Sequence, residues 1–182
     1  MVTKLFQDLK EELNKGFTEK DHPFRFFTLG TVGLDKMARL RTVVLRNVAE
    51  DLTLTFYTDK RSKKIIHINE NSKVSTLFYH PDKMMQLKIE GLATVIKDNH
   101  TLQNHWKNLN ENSKKEYTTS LAPGSTLPDR NAIEYLSDEE NYFSIVTVQP
   151  KKIEYLQLSN SGHTKIRYSL EHGDWKSEYL VP

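Results

Sequence analysis

Phe24-Arg25-Phe26-Phe27-Thr28-Leu29-Gly30-Thr31-Val32 is followed by Gly33-Leu34-Asp35-Lys36, and then by Ala38-Arg39-Leu40-Arg41-Thr42-Val43-Val44-Leu45-Arg46-Asn47-Val48. Apolar residues alternate with polar ones in both runs, the period of a strand. The four residues between them read as a turn. A third run, Leu52 to Thr58, follows Ala49-Glu50-Asp51. Two short turns in succession predict antiparallel neighbours.

Thr3 to Phe17 has Leu5, Phe6, Leu9 and Leu13 on one stripe, which predicts an amphipathic helix ending near Gly16. Lys60-Arg61-Ser62-Lys63-Lys64 opens a short helix anchored by Ile65, Ile66 and Ile68. Val74 to Tyr79 and Met84 to Ile96 read as strands around Pro81-Asp82-Lys83, with Gly91 as a bend or close approach. Thr101 to Lys115 reads as one helix, Ser120 to Arg130 as a loop, and Ala132 to Leu136 as a helical turn. Tyr142 to Val148 and Lys152 to Leu158 read as two strands parted by Gln149-Pro150. A hairpin over about 165–180 closes the chain. About seven strands joined by short turns predict a mainly β fold, an antiparallel barrel with peripheral helices.

The chain has 182 residues, which suits one domain over 1–182. Its 26 basic and 24 acidic residues leave a net charge of +2, too balanced for a dedicated nucleic-acid binder. Any anion site must be a local cluster. There is no cysteine, so thiolate chemistry is excluded and redox work would need a bound cofactor. The first residues lack the apolar core of a signal peptide, and no apolar run is long enough for a membrane span. The expectation is a cytoplasmic protein with no membrane partner.

Arg39, Arg41 and Arg46 lie within one strand run. Such a run is either an exposed, charge-blunted edge or an anion site, because a guanidinium fork matches phosphate oxygens. The segment Phe56-Tyr57-Thr58-Asp59-Lys60-Arg61-Ser62-Lys63-Lys64 adds hydroxyls, ammonium groups and a helix start, all suited to phosphate. Gln86, between apolar neighbours in Met84-Met85-Gln86-Leu87-Lys88-Ile89-Glu90-Gly91-Leu92-Ala93, both donates and accepts hydrogen bonds. His67, His80, His100 and His105 lack metal-ligand spacing, so no metal is expected. The pairs Glu11/Glu12 and Glu139/Glu140 read as solvated, and Trp106 and Trp175 as core or interface residues.

In this order and spacing, these segments resemble the FMN-binding signature of the pyridoxamine 5'-phosphate oxidase family. The likeness is close over about Pro23 to Val95 and weaker beyond. It implies a split β-barrel of antiparallel Greek-key type, dimeric, with FMN at the subunit interface. Carried over, Arg41 and Lys64 would hold the FMN phosphate. Thr42, Val43 and Val44 would line the flavin through their backbone, and Tyr57, Thr58, Ser62 and Lys63 would complete the phosphate and ribityl side. Gln86 and Arg167 would reach the flavin. Arg46, His163 and Lys165 fall at substrate positions, but there the family has a lysine and an Arg-x-His pair, and Leu156 replaces a tryptophan. The expected function is a pyridoxamine 5'-phosphate oxidase-related, FMN-dependent oxidoreductase acting on an unidentified small substrate, with little or no oxidation of pyridoxamine 5'-phosphate expected. The alternatives are a flavin-binding or flavin-buffering protein without turnover and, further off, a nucleic-acid-binding barrel.

Overall fold

The computed structural model describes residues 2–137 and 140–182. Glu139, of the Glu139/Glu140 pair, lies outside the described residues. Helix α1 spans Val2–Thr18, and nine strands follow: β1 (Phe26–Val32), β2 (Ala38–Val44), β3 (Asn47–Val48), β4 (Leu54–Asp59), β5 (Lys73–His80), β6 (Met85–Val95), β7 (Phe143–Gln157), β8 (Thr164–Glu171) and β9 (Asp174–Leu180). Helix α2 (Lys63–Glu70) links β4 to β5, while α3 (Asn99–Lys107) and α4 (Glu111–Lys115) follow β6. All pairings are antiparallel, in the order β2-β1-β5-β6-β7-β4-β3, with β8 on β7 and β9 on β8. The sheet does not close on itself, as in a split barrel. No helix among the described residues is long and apolar enough to cross a membrane.

The expected strand Ala38–Val48 is broken in two. The Leu45 N–H donates to Arg25 O (2.8 Å), whereas the next N–H, of Arg46, donates to Thr55 O (2.8 Å). The chain crosses from one half of the barrel to the other between these residues. Phe24 belongs not to a strand but to a short 3-10 turn over Pro23–Arg25, where the His22 ring accepts the Phe24 N–H. Gly16 does not end α1. It lies within the helix, and a Cβ there would meet Phe24 Cβ at 2.8 Å.

The two expected strands around Pro150 are one. Along β7 the side chains in the main core are even-numbered before Pro150 (Val146, Val148) and odd-numbered from Ile153 (Ile153, Tyr155), while Phe143 and Ile145 are buried on the opposite face. A bulge at Lys151 absorbs the change: Gly91 pairs with Pro150, and Glu90 pairs with Lys152. Gly91 is required there, because a Cβ would come within 2.2 Å of Gln149 O. The expected helix Thr101–Lys115 is likewise two helices, because the Asn110 side chain accepts the Ser113 N–H and starts α4 afresh. The expected turn over Ala132–Leu136 is a 3-10 turn over Arg130–Ala132, after which Tyr135 bridges Thr119.

The main core lies inside the barrel under α1, with Leu9, Leu13, Phe24, Phe27, Phe56, Phe78, Leu87 and Ile153. A smaller core, Tyr117, Phe143 and Ile145, packs with Tyr57, Leu102 and Trp106 on the opposite face of β4 and β7. Trp175 packs at the edge of the main core, 5.7 Å from Phe6.

A polar knot ties α1 to the barrel. Glu12 is buried, and its Oε2 lies 3.2 Å from His22 Nε2 and 3.8 Å from His80 Nε2, while Lys83 Nζ pairs with Oε1. Both histidines use Nδ1 to accept a backbone N–H, from Phe24 (3.1 Å) and Lys83 (3.4 Å). Each neutral ring therefore carries its proton on Nε2, facing Glu12. The three groups are close enough to suggest a metal triad, but ligation through Nε2 would move each ring proton to Nδ1, where a backbone N–H already donates.

Burial, then Lys83, pushes His80 below its ordinary pKa. Burial pushes Glu12 up, but Lys83, Lys15 and His22 outweigh it and hold the carboxyl below the usual range. An unfolded chain binds the His80 proton near pH 6.5, and the folded chain only at lower pH. The His80 contribution is thus complete above about pH 6.5 and is lost as pH falls through the lowered folded value. Urea midpoints should drop between pH 7.5 and pH 5.5, and drop less in His80→Gln. Equal drops in the two proteins would contradict a role for this knot.

Candidate functional site

The alternation of β2 sends Arg41 and Val43 inward, opposite the buried Leu29 and Phe27. Arg41 Nη1 is fixed by three oxygens: Thr31 Oγ1 (2.7 Å), Arg39 O (2.8 Å) and Leu29 O (3.1 Å). Helix α2 lies across this face. Its Lys64 Nζ donates to Thr58 Oγ1 (2.8 Å), which is 3.2 Å from Ser62 Oγ. Ser62 sits at the N-cap, but its hydroxyl makes no capping bond. The N–H groups of Lys63 and Lys64, in the first turn, have no intrahelical partner. His67 Nδ1 meets Thr31 Oγ1 at 3.0 Å.

The cluster is electrostatically uncomfortable by itself. Burial, then Arg41, pushes Lys64 down, with Asp59 opposing. Burial, then Arg39, lowers Arg41. Burial, then Arg41 and Arg39, lowers His67. Among the described residues no carboxylate pairs with Arg41 or Lys64. The acid on the turn, Asp59, is taken by Arg61 at 2.7 Å. Two held cations, two hydroxyls and a helix start with free N–H groups match the oxygens of a phosphate monoester.

Tyr57 and Thr58, read as one hydroxyl pair, point to opposite faces of β4. Thr58 joins Lys64, whereas Tyr57 joins the smaller core, with its hydroxyl 2.7 Å from His105 Nδ1. The Arg46 guanidinium lies 5.3 Å from the Tyr57 ring centre, and its Nε is buried without a partner. Burial raises both Tyr57 and Tyr117, and the charge of Arg46 opposes each shift. This is a second, distinct polar pocket.

A third group lies on the outer face of the sheet. Direct cross-strand pairing runs Thr42, Thr28, Leu77, Lys88, Glu154, Arg167, Glu178, and a neighbouring row runs Tyr79, Gln86, Leu156, Lys165. Gln86 is half-buried there, and Val44 lies on this face opposite the exposed Phe26. Arg167 is clasped by Glu154 (3.3 Å) and Glu178 (3.2 Å). His163 is exposed in the turn before β8, and its Nδ1 accepts the Ser159 N–H at 3.2 Å. A groove of about 550 Å³ also opens on the outer face, between Leu40 and Leu92, and includes neither Arg41 nor Lys64.

Three residues escaped the sequence reading. Thr31 and His67 brace Arg41, and strand parity alone would have placed Thr31 beside it. Arg61 looked like one more cation in a basic run, yet its donors are spent on Asp59 and on the carbonyls of Thr119, Ser120 and Leu121.

The sequence model of the family described as "Pyridoxamine 5'-phosphate oxidase, FMN-binding domain" matches residues 4–97. A pyridoxine/pyridoxamine 5'-phosphate oxidase of Vibrio vulnificus strain YJ016 is 29% identical over 171 residues, 85% of this chain and 78% of that protein. One from Aliarcobacter butzleri strain RM4018 is 26% identical over 191 residues, 97% and 89% of the two chains. A pyridoxamine 5'-phosphate oxidase-related, FMN-binding protein of Nostoc punctiforme superposes with a TM-score of 0.80 at 22% identity, covering 97% and 96%. PhzG of Burkholderia lata 383, solved with tetrahydrophenazine-1-carboxylic acid, gives 0.77 at 19%, covering 100% and 92%. At these identities the two structures establish the shared fold.

The cluster makes a prediction of its own. Removing Arg41 takes away a charge that depresses His67, so in Arg41→Met the His67 pKa should rise toward its ordinary value. Histidine ring NMR across pH 4–8 reads this directly, and an unmoved titration would separate the two residues.

Proposed function

The chain belongs to the pyridoxamine 5'-phosphate oxidase FMN-binding family, and on that premise we propose that it is an FMN-dependent oxidoreductase acting on a small anionic substrate. The observation that carries this reading is the inward cluster of Arg41 and Lys64, two cations held together with no carboxylate between them at the start of α2. A phosphate monoester neutralises both at once. Thr58, Ser62 and Lys63 complete that end, and the β2 backbone at Thr42, Val43 and Val44 runs along the flavin. Bound FMN would supply hydride acceptance, while the chain supplies position and electrostatics. Arg46, with its unpaired buried Nε beside Tyr57, faces the substrate anion.

The strand faces also argue for a homodimer. Arg41 and Lys64 lie on the inner side of the sheet, whereas Gln86, Lys165 and Arg167 lie on the outer side. One flavin cannot touch both sets through a sheet. A second copy that presents its outer face to the first cradle brings them together, and the exposed Phe26, Leu40, Leu77 and Tyr79 give that face an apolar component.

A second reading is a flavin-binding protein without turnover. It is favoured by the C-terminal hairpin, where Arg167 is already paired with two carboxylates and a His163 nitrogen serves its own turn. Substrate turnover separates the two readings.

FMN titration should show a dimer that binds FMN more tightly than riboflavin. Arg41→Ala should weaken FMN roughly tenfold to a hundredfold, about 1.5–3 kcal/mol for a charge-assisted contact. Equal affinity of wild type and variant, or a monomer by light scattering that keeps tight FMN, contradicts the site. With FMN bound, turnover of pyridoxamine 5'-phosphate should fall far below the median enzyme rate of about 10 per second. Misplacing a positioning group by about 1 Å can cost a hundredfold, and Arg46, His163 and Lys165 depart from the family pattern. Oxygen-dependent pyridoxal phosphate formation near the median rate would overturn this.

A further inference from the structure

Arg61 belongs to neither polar pocket, yet it is the most heavily bonded side chain of the basic turn. Its Nη2 and Nε hold Asp59 at 2.7 and 3.1 Å, and its backbone N–H donates to Asp59 Oδ1 at 2.7 Å. The same guanidinium donates to Thr119 O (2.9 Å), Ser120 O (3.1 Å) and Leu121 O (3.3 Å). It also lies 3.3 Å from the centre of the Tyr142 ring, and the Lys60 N–H donates to Tyr142 O at 2.7 Å. Asp59 in turn accepts the Ser62 N–H through its backbone carbonyl at 3.0 Å. One guanidinium therefore fixes two things: the turn that delivers Ser62, Lys63 and Lys64, and the start of the loop over residues 119–134. That loop lines an open pocket of about 250 Å³ whose apolar side is formed by Leu121, Pro123, Leu127 and Ile133. Among the described residues, few other bonds tie it down: the Ser120 N–H to Glu134 O (2.8 Å), the Leu136 N–H to Thr118 O (2.6 Å) and the bridge from Thr119 to Tyr135.

We infer that Arg61 is a positioning residue that couples phosphate binding at the start of α2 to the ordering of the 119–134 loop. The inference rests on the FMN reading above. Without an anion, Lys64 and Arg41 repel each other across the turn that Asp59 and Arg61 hold. A phosphate removes that repulsion and stiffens the turn. Arg61 transmits the gain to the loop, because a turn that holds its Asp59 also holds the guanidinium that clasps the three carbonyls. Coupling of this kind is reciprocal, so a loop released from Arg61 must weaken phosphate binding.

Arg130, exposed in the loop, offers a tryptic site. In wild type, saturating FMN should slow cleavage after Arg130 at least fivefold, the lower end of typical coupling, and saturating riboflavin should not. In Arg61→Ala the FMN protection should vanish, and the preference for FMN over riboflavin should fall about tenfold while riboflavin affinity stays constant. A merely structural role would lower both affinities together. Arg61→Lys keeps the charge but loses the fork, and should behave like Arg61→Ala. Its retained charge makes it the usable variant if alanine fails to fold. FMN protection that persists in both variants, or an equal loss of FMN and riboflavin binding, overturns the coupling alone. A wild type that does not distinguish FMN from riboflavin overturns the phosphate reading beneath it.

Discussion

Two consecutive amides govern this molecule. Leu45 donates to Arg25 and Arg46 donates to Thr55, so neighbouring residues belong to different halves of the barrel. The placement of the arginines follows from that crossing. Before it, alternation sends Arg41 and Val43 inward. After it, Arg46 reaches the far side of β4, beside Tyr57. Three arginines that look like one basic strand therefore serve three environments: Arg39 pairs with Asp35 in solvent, Arg41 is braced inside, and Arg46 enters the aromatic pocket.

Under the proposed FMN reading, the inward cluster holds its cations ready for an anion. Thr31 Oγ1 stands between Arg41 and His67, accepting from the guanidinium and bonding the ring. Thr58 does the same for Lys64 with Ser62 behind it. Neutral hydroxyls fix the cations without discharging them, where a carboxylate would have quenched the charge. The acid on the adjoining turn, Asp59, is drawn away by Arg61. Fixed dipoles and undischarged cations cost little further reorganisation when a ligand arrives.

Most of the architecture was legible because short-range patterns dominate it. The stripe Leu5, Phe6, Leu9, Leu13 gave α1, alternation gave the hairpins, and the basic turn before Ile65 gave α2. Arg41, Lys64, Thr58 and Ser62, expected together, are together. The misses share one cause, geometry that depends on a distant partner. Tyr57 and Thr58 are adjacent in sequence and separate in space. The crossing at Leu45–Arg46 answers to Arg25 and Thr55, not to any residue in its own run. The role of Arg61 is set by a loop that starts some sixty positions later. Asn110 was a missed local signal, an N-cap inside what looked like a single helix.

The bulge at Lys151 has an implication for how the long strand β7 could change length. Up to Pro150 its even residues face inward, and from Ile153 its odd residues do. Excising Lys151 would remove the one unpaired residue, leave Glu90 opposite Lys152, and restore unbroken alternation with every later side chain on its present face. Ile153 and Tyr155 would stay against Ile89 and Leu87, and the strand would lose only its local bend. A single-codon deletion at this exposed lysine would thus spare the barrel wall, whereas the same deletion within a regular strand would turn the side chains beyond it to the opposite face. At this position the protein can absorb a miscount that its regular strands could not.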